Sequence, residues 1–255
     1  MTIKEFWAYR ELVGNLTVAD LKNRYQNTAL GFLWSLLSPL LLALVLYFVF
    51  RFLYGQGPEF PRYLIVGLMT FRFFSTGTIN ALYSIIGKPS LVTKVYIPRE
   101  ILVLSNVLST LISSLLEFIV TIPILFLLSP ELPPTLWLFP LLFLVYFWFV
   151  YGIGLFLASL YVYFRDLNQI WEVLANMLFF LCPIIYPMVQ ITDRVMPFYL
   201  LNPLTEFIIM YRDLMVYGNL PSLYSLLLTL AASCIALAIG SITFNKLQRR
   251  FAEEI

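Results

Sequence analysis

Six stretches of this chain each run for about twenty residues with hardly a charged side chain, long enough to cross a bilayer as helices. They fall at about Leu30 to Tyr54, Tyr63 to Ile86, Ile101 to Leu128, Leu136 to Phe164, Ile170 to Pro187 and Leu223 to Phe244. The composition requires lipid as their solvent. Of the 255 residues 61% are apolar and only 12% charged, with a mean hydropathy of +0.87, whereas a soluble domain is about 25% charged. No single core could hide so much apolar surface. The expected fold class is therefore an all-α membrane protein with six transmembrane helices.

A charged, amphipathic run from Thr2 to Tyr25 leads without a linker into the first span. Trp7 and Tyr9 beside Lys4 and Arg10 suit a helix lying in the lipid headgroup layer. The plainer reading is a solvated lead-in that merely anchors. Thr2-x-x-Glu5 and Thr17-x-x-Asp20 are capping-box patterns, which predicts two short helices on either side of Gly14. No cleavable signal peptide is expected, because the first apolar segment is long enough to span and stay. Pro39 should kink that segment, and Gly55, Gly57 and Pro58 should turn the chain back.

The connectors differ sharply in charge. Gly87 to Glu100 is compact and basic, with Lys88, Lys94 and Arg99, while Ser129 to Thr135 carries Glu131 and no basic residue. Placing the N-terminus inside puts Lys4, Arg10, Lys22, Arg24, Lys88, Lys94, Arg99, Arg165, Lys246, Arg249 and Arg250 on the inner side, eleven of 16 basic residues. The two short outer connectors then hold only Arg62. The positive-inside rule favours this orientation, with both termini cytoplasmic. The stretch Met188 to Ser222 is not a plain loop. Asn202-Pro203 is a helix start, and Leu204, Phe207, Ile208, Tyr211, Leu214 and Met215 form an apolar stripe opposite Glu206, Arg212 and Asp213 before Gly218 ends it. At about fifteen residues this helix is too short to span, so a re-entrant or interfacial position on the outer side is expected.

Catalysis has little to work with. The chain has no histidine, which removes the commonest general base and zinc ligand. Cys182 and Cys234 fall in apolar segments without CxxC spacing, which reads as buried packing. The sole Gly-Lys pair, Gly87-Lys88, is followed by Pro89 and has Leu82 where a phosphate-cradling loop needs its first glycine. No metal site and no catalytic residue are expected; an enzyme working with intramembrane carboxylates alone is the remote alternative. Two charges within the spans stand out, Arg72 and Glu117. At 1.5 Å per residue they lie ~13 and ~16 Å below the outer ends of adjacent helices, so they could form a structural ion pair; a substrate or proton site is the other reading. Aromatic side chains concentrate on spans one, two and five, where their faces could pack against sugar rings. For any one of them, bundle packing or a lipid-facing belt is the plainer role.

Several segments carry a resemblance. The run Arg24 to Pro39, RYQNTALGFLWSLLSP, resembles the N-terminal signature of the type-2 ABC exporter permeases of the polysaccharide (O-antigen) export family. IPREIL (Ile97 to Leu102), YFRDL (Tyr163 to Leu167), CPIIYP (Cys182 to Pro187) and NPLTE (Asn202 to Glu206) agree in order along the whole chain. Ser38 stands before Pro39 where many relatives have asparagine.

The resemblance implies a single permease domain over 1–255. Within it, 1–29 is an interfacial amphipathic segment, 30–244 the six-span bundle and 245–255 a cytoplasmic tail. It further implies a homodimer in the bacterial inner membrane, seated on two copies of a separate ATPase that hold the ATP and Mg; this chain itself carries no cofactor and binds no nucleic acid. The connector 87–100 would couple to the ATPase through Lys88, Pro89, Ser90 and Lys94, with Arg10 beside them. A channel between the two copies would be lined by Trp34, Tyr47, Phe48, Phe71, Phe74, Tyr83, Phe179 and Tyr186, gated at its outer mouth by 188–221. The implied activity is ATP-driven export of a lipid-linked polysaccharide. An exporter of a small drug or lipid is the nearest alternative. An ion-coupled carrier or channel without an ATPase is a different class, and it should show paired intramembrane carboxylates or internal repeats.

Overall fold

A computed structural model describes residues 7–26, 31, 33–54, 59–128, 133–188, 191–192 and 194–254. Thr2, Lys4, Glu5, Gly55, Gly57, Pro58 and Glu131 lie outside them, so the first capping box and the expected turn after the first span belong to segments not described. Among the described residues every regular element is helical. The order is α1 (Arg10–Tyr25), α2 (Leu33–Tyr54), α3 (Phe60–Tyr83), α4 (Pro89–Lys94) and α5 (Glu100–Leu128). A 3-10 turn (Pro134–Leu138) leads into α6 (Phe139–Tyr161), followed by α7 (Leu167–Leu181), α8 (Met196–Leu201) and α9 (Pro203–Arg212), which runs on as a π turn (Asp213–Tyr217). Helix α10 (Leu223–Leu247) is last of the long elements.

Four helical stretches are long and apolar enough to cross a membrane: Leu33–Phe50, Glu100–Leu125, Pro134–Tyr161 and Leu223–Arg250. The other two expected spans are helical and less clear-cut. Helix α3 has 24 residues, but Arg62, Arg72 and the polar run from Ser75 to Asn80 dilute its apolar character. Helix α7 has 15 residues. It stops because Pro183 forces the residue before it out of the helical region, and Cys182 is extended at ψ 145°.

Local patterns succeed where the chain answers only to itself. Asn202 caps α9, its side-chain oxygen accepting from the Leu204 N–H at 3.1 Å, and Gly218 ends the segment in the left-handed region at φ 70°. They fail at Thr17. The two short helices expected around Gly14 are one helix, α1, running through both residues. The Thr17 hydroxyl donates to Val13 O at 2.7 Å and also lies 3.4 Å from Ser105 O on α5, so it serves packing between helices instead of a cap. Pro39 lies inside α2. Cys182 is buried as expected, whereas Cys234 is exposed on α10.

Helix α3 sits at the centre, packed against α2, α5, α6, α7 and α9. Contacts fix the directions. Arg72 meets Glu117 while Asn80 meets Thr110, so α3 and α5 run antiparallel. Phe71 meets Phe179 while Thr78 meets Trp171, so α3 and α7 are antiparallel too. Phe73 packs on Phe143, and Gly77 lies beside Val150, which makes α3 and α6 parallel. Ser233 donates to Val145 O at 3.1 Å and Gly240 faces Gly152, so α6 and α10 are parallel as well.

This arrangement sorts the connectors to two ends. At one end Lys88 pairs with Asp20, Arg99 donates to Gln248 O, Tyr163 to Leu247 O and Arg165 to Glu254 O. At the other, Arg62 donates to Val216 O, Tyr63 to Pro183 O and Thr135 to Leu214 O. Between them lies an aromatic core. Tyr146 stacks on Phe207 with centroids 4.2 Å apart, and Phe118, Phe139, Phe143 and Tyr211 close around them.

Candidate functional site

The basic end of the bundle exposes a short connector. Pro89, Ser90 and Lys94 are exposed on and around α4, a single turn and a half of helix. Lys88 is held within the chain, its Nζ 2.7 Å from Asp20 Oδ2, which ties α4 to α1. Arg10 is exposed, donates to Trp7 O at 3.3 Å and lies over the Trp7 ring. Just after α4, Tyr96 is 102% exposed, the highest among the described large hydrophobic residues, next to Val95 at 46%. These two border a cavity of about 760 Å³ whose walls include Arg99, Glu100, Asn245 and Arg249. Two adjacent apolar residues at a basic connector are a signal that attention to charge alone passes over.

If Lys88 holds α4 through Asp20, then Lys88→Glu should detach the connector, and the swap Asp20→Lys with Lys88→Glu should restore it. Protease sensitivity of the connector in purified protein reads this directly. Lys94→Glu should leave that sensitivity unchanged.

Midway along the bundle, polar side chains gather. Arg72 Nε lies 3.5 Å from Glu117 Oε2, so the structure brings these two together across α3 and α5. Arg24, at the C-terminal end of α1, donates to Ser113 Oγ at 3.3 Å and Thr110 Oγ1 at 3.2 Å. Asn80 donates to the same Thr110 hydroxyl at 3.1 Å. Helix α1 is thus carried up along α5 by polar contacts. Because Glu117 is buried while the Arg72 side chain is 31% exposed, neutralising Glu117 alone should cost about 1 to 3 kcal/mol, below the usual figure for a fully buried pair. The double variant Arg72→Gln with Glu117→Gln should recover most of it, as thermal unfolding in detergent would reveal.

The aromatic candidates separate by position. Phe71 and Phe74 are buried in the bundle, Phe71 against Phe179 at 5.3 Å and Phe74 near Trp171 and Phe149, so neither contributes surface in this protomer. Trp34, Phe48 and Tyr83 are exposed. Tyr47 is half-buried between Phe48 and Phe60. Tyr83 accepts from Asn168 at 3.1 Å, and half-buried Tyr186 donates to Phe180 O at 2.7 Å, with Tyr199 Oη 3.0 Å away. Sequence reasoning passed over a polar pair on α7. Glu172 and Asn176 are both exposed, one turn apart among exposed Val173, Leu174, Met177 and Phe180. A carboxylate on a face turned to lipid is costly, so this face calls for water or another chain.

At the opposite end, the expected polar face of α9 is buried, not solvated: Glu206 is 1% and Arg212 2% exposed. Arg212 donates to Tyr63 O at 3.1 Å, Pro183 O at 2.6 Å and Ile184 O at 3.0 Å, with its guanidinium 3.3 Å from the centre of the Tyr63 ring. The termination of α7 at Pro183 leaves carbonyls without helical donors, and Arg212 takes them. One side chain thereby joins the outer segment to α3 and to the end of α7.

Comparison with known proteins identifies the family of this chain. A family model described as "ABC-2 type transporter" matches residues 11–216. The chain is 33% identical over 249 residues to the O-antigen export system permease protein RfbA of Klebsiella pneumoniae, covering 95% of this chain and 94% of that protein. It is 32% identical over 261 residues to a protein of the same name from Myxococcus xanthus, covering 99% and 98%. It is 24% identical over 260 residues to the polysialic acid transport protein KpsM of Escherichia coli, covering 92% and 93%. With the match spanning most of the helical bundle, from α1 to the outer segment, the chain belongs to the ABC-2 type transporter family.

Proposed function

We propose that this chain is the membrane subunit of an ATP-driven exporter of a lipid-linked polysaccharide of the O-antigen type, working as a homodimer in the bacterial inner membrane. The observation that carries the substrate is the full-length likeness to relatives named as O-antigen export permeases. The alternating directions of α2, α3, α5, α6, α7 and α10 support six crossings, with α7 completed by the unwound stretch up to Tyr186. Basic residues Lys88, Lys94, Arg99, Arg165, Lys246, Arg249 and Arg250 cluster at one end, which supports that end, and both termini, as cytoplasmic. The outer segment α8–α9 then lies at the far side as a gate.

No phosphate-cradling loop occurs in the sequence, so ATP and Mg belong to a separate ATPase subunit. It would dock on α4 and the Val95-Tyr96 pair. ATP binding draws the ATPase subunits together, and their grip on this connector shifts the bundle between closed and open arrangements. The exposed Glu172 and Asn176 of α7 fit a water-filled path between two copies, beside the exposed Tyr83 that α7 contacts through Asn168. A strain that makes the polymer but lacks this chain should retain it inside, and supplying the chain should restore it at the surface. Glu172→Leu should lower surface polymer several-fold with the complex still assembled. Surface polymer that is independent of the chain would contradict the proposal.

A further inference from the structure

A cavity of about 520 Å³ lies between α1, α2 and α3, with Arg24, Tyr25, Trp34, Ser35, Ser38 and Arg72 among its lining residues. None of the described residues that line it is acidic. Glu117 is buried and serves Arg72. Arg24 makes its side-chain hydrogen bonds to the neutral hydroxyls of Thr110 and Ser113 and shares the field of the same Glu117 carboxylate. The neighbourhood therefore holds two guanidiniums against one carboxylate. Its depth makes this excess informative. Arg24 is level with Thr110 and Ser113, ten to thirteen residues along α5 from Glu100, or roughly 15 to 20 Å up that helix. A cation so far from the helix end is costly without an anion, and each guanidinium has five N–H donors to offer one.

The second half of the ligand is written on α2. Trp34, Leu37, Leu41, Leu44, Val45 and Phe48 recur at helical spacing and are all exposed, forming an apolar face that runs about 20 Å from the cavity. Charge at one end and hydrocarbon surface along the rest match an amphiphile. Tyr25, Ser35 and Ser38 add hydroxyls beside the arginines.

We propose that this cavity binds the phosphate head group of a membrane lipid, with Arg24 and Arg72 as its counter-ions and the exposed face of α2 as the bed for its hydrocarbon chain. That the head group is the one carrying the exported polymer rests on the export reading; the site itself does not. Such a site would hold a dehydrated phosphate part-way across the bilayer, where charge-assisted hydrogen bonds to guanidinium are strong.

The test uses the purified complex in detergent and native mass spectrometry, with four probes: a polyprenyl diphosphate, the corresponding polyprenol, phosphatidylglycerol and inorganic pyrophosphate. The diphosphate lipid should bind at least about tenfold tighter than the polyprenol. Arg24→Gln should remove about tenfold of that preference, Arg24→Lys should keep part of it, and the charge-balanced Arg72→Gln with Glu117→Gln should weaken it again. Phosphatidylglycerol binding as well as the diphosphate lipid would identify bulk lipid as the source, and weaker binding the polymer carrier; both sustain the site. Equal binding of polyprenol, or of inorganic pyrophosphate, would overturn it. So would an unchanged preference in a well-folded Arg24→Gln protein, or a disulfide-linked dimer through Leu41→Cys that forms in vesicles. Export is scored separately in cells, so a complex that binds the lipid but moves no polymer refutes the export reading and leaves this site standing.

Discussion

Arg212→Ala should leave little folded protein. The three carbonyls it serves come from α3 (Tyr63) and from the unwound stretch after α7 (Pro183 and Ile184), and the Pro183 carbonyl also accepts from the Tyr63 hydroxyl. Each buried carbonyl left unsatisfied costs about 1 to 3 kcal/mol, and hydrogen bonds to a charged donor are the stronger kind. The sum is on the order of 5 kcal/mol, comparable with the whole stability of many proteins. Thermal unfolding in detergent should fall by about 10 °C or more. Arg212→Lys should rescue only partly, because an ammonium cannot reach three carbonyls in the planar fan that a guanidinium offers. Gly67→Ala should mimic the defect mildly, since the new methyl would press against the Arg212 guanidinium. An Arg212→Ala protein that unfolds with the wild type would mean the outer segment is held by its apolar stripe alone.

The second large effect concerns the seam between α6 and α10. A methyl group added at Gly152 would sit 2.5 Å from the backbone of Ala236 and Leu237, and one at Gly240 would strike the Gly152 carbonyl. Backbone cannot step aside as a flexible side chain can, so the two helices must separate. Small residues allow this approach, and in lipid such close packing supplies much of the attraction between helices. Gly152→Ala should cost about 1 to 3 kcal/mol, at the level of ordinary overpacking. Gly152→Leu should prevent α10 from docking and also break the Ser233 bond to Val145 O. The readout is the yield of monodisperse protein on size exclusion; normal yield of Gly152→Leu would show that the seam is looser than its geometry indicates.

Much of the fold is visible from local rules. Apolar runs mark where helices lie, Asn202-Pro203 marks the start of α9 and Gly218 its end, because each depends on residues within one turn. The depths of Arg72 and Glu117 can be counted from the helix ends at 1.5 Å per residue. What a sequence window does not contain is the acceptor for a distant donor. Thr17 reads as a cap until Ser105 appears beside it. Arg212 reads as a surface charge until the carbonyls freed by Pro183 and the backbone of Tyr63 arrive from 29 and 149 residues away. The two-arginine cavity escaped notice for the same reason. Arg24 counts as one of many inner basic residues until α1 is seen to climb α5.

The central claim is that this chain works as a pair of copies driven by a separate ATPase. The most direct measurement is the mass and composition of the complex purified from native membranes in mild detergent. The account predicts a particle with two copies of this chain and two of a P-loop ATPase subunit. A homo-oligomer that holds no ATPase across several gentle detergents would contradict it and favour an ion-coupled carrier or channel, with Glu117 and Glu172 as the first residues to replace.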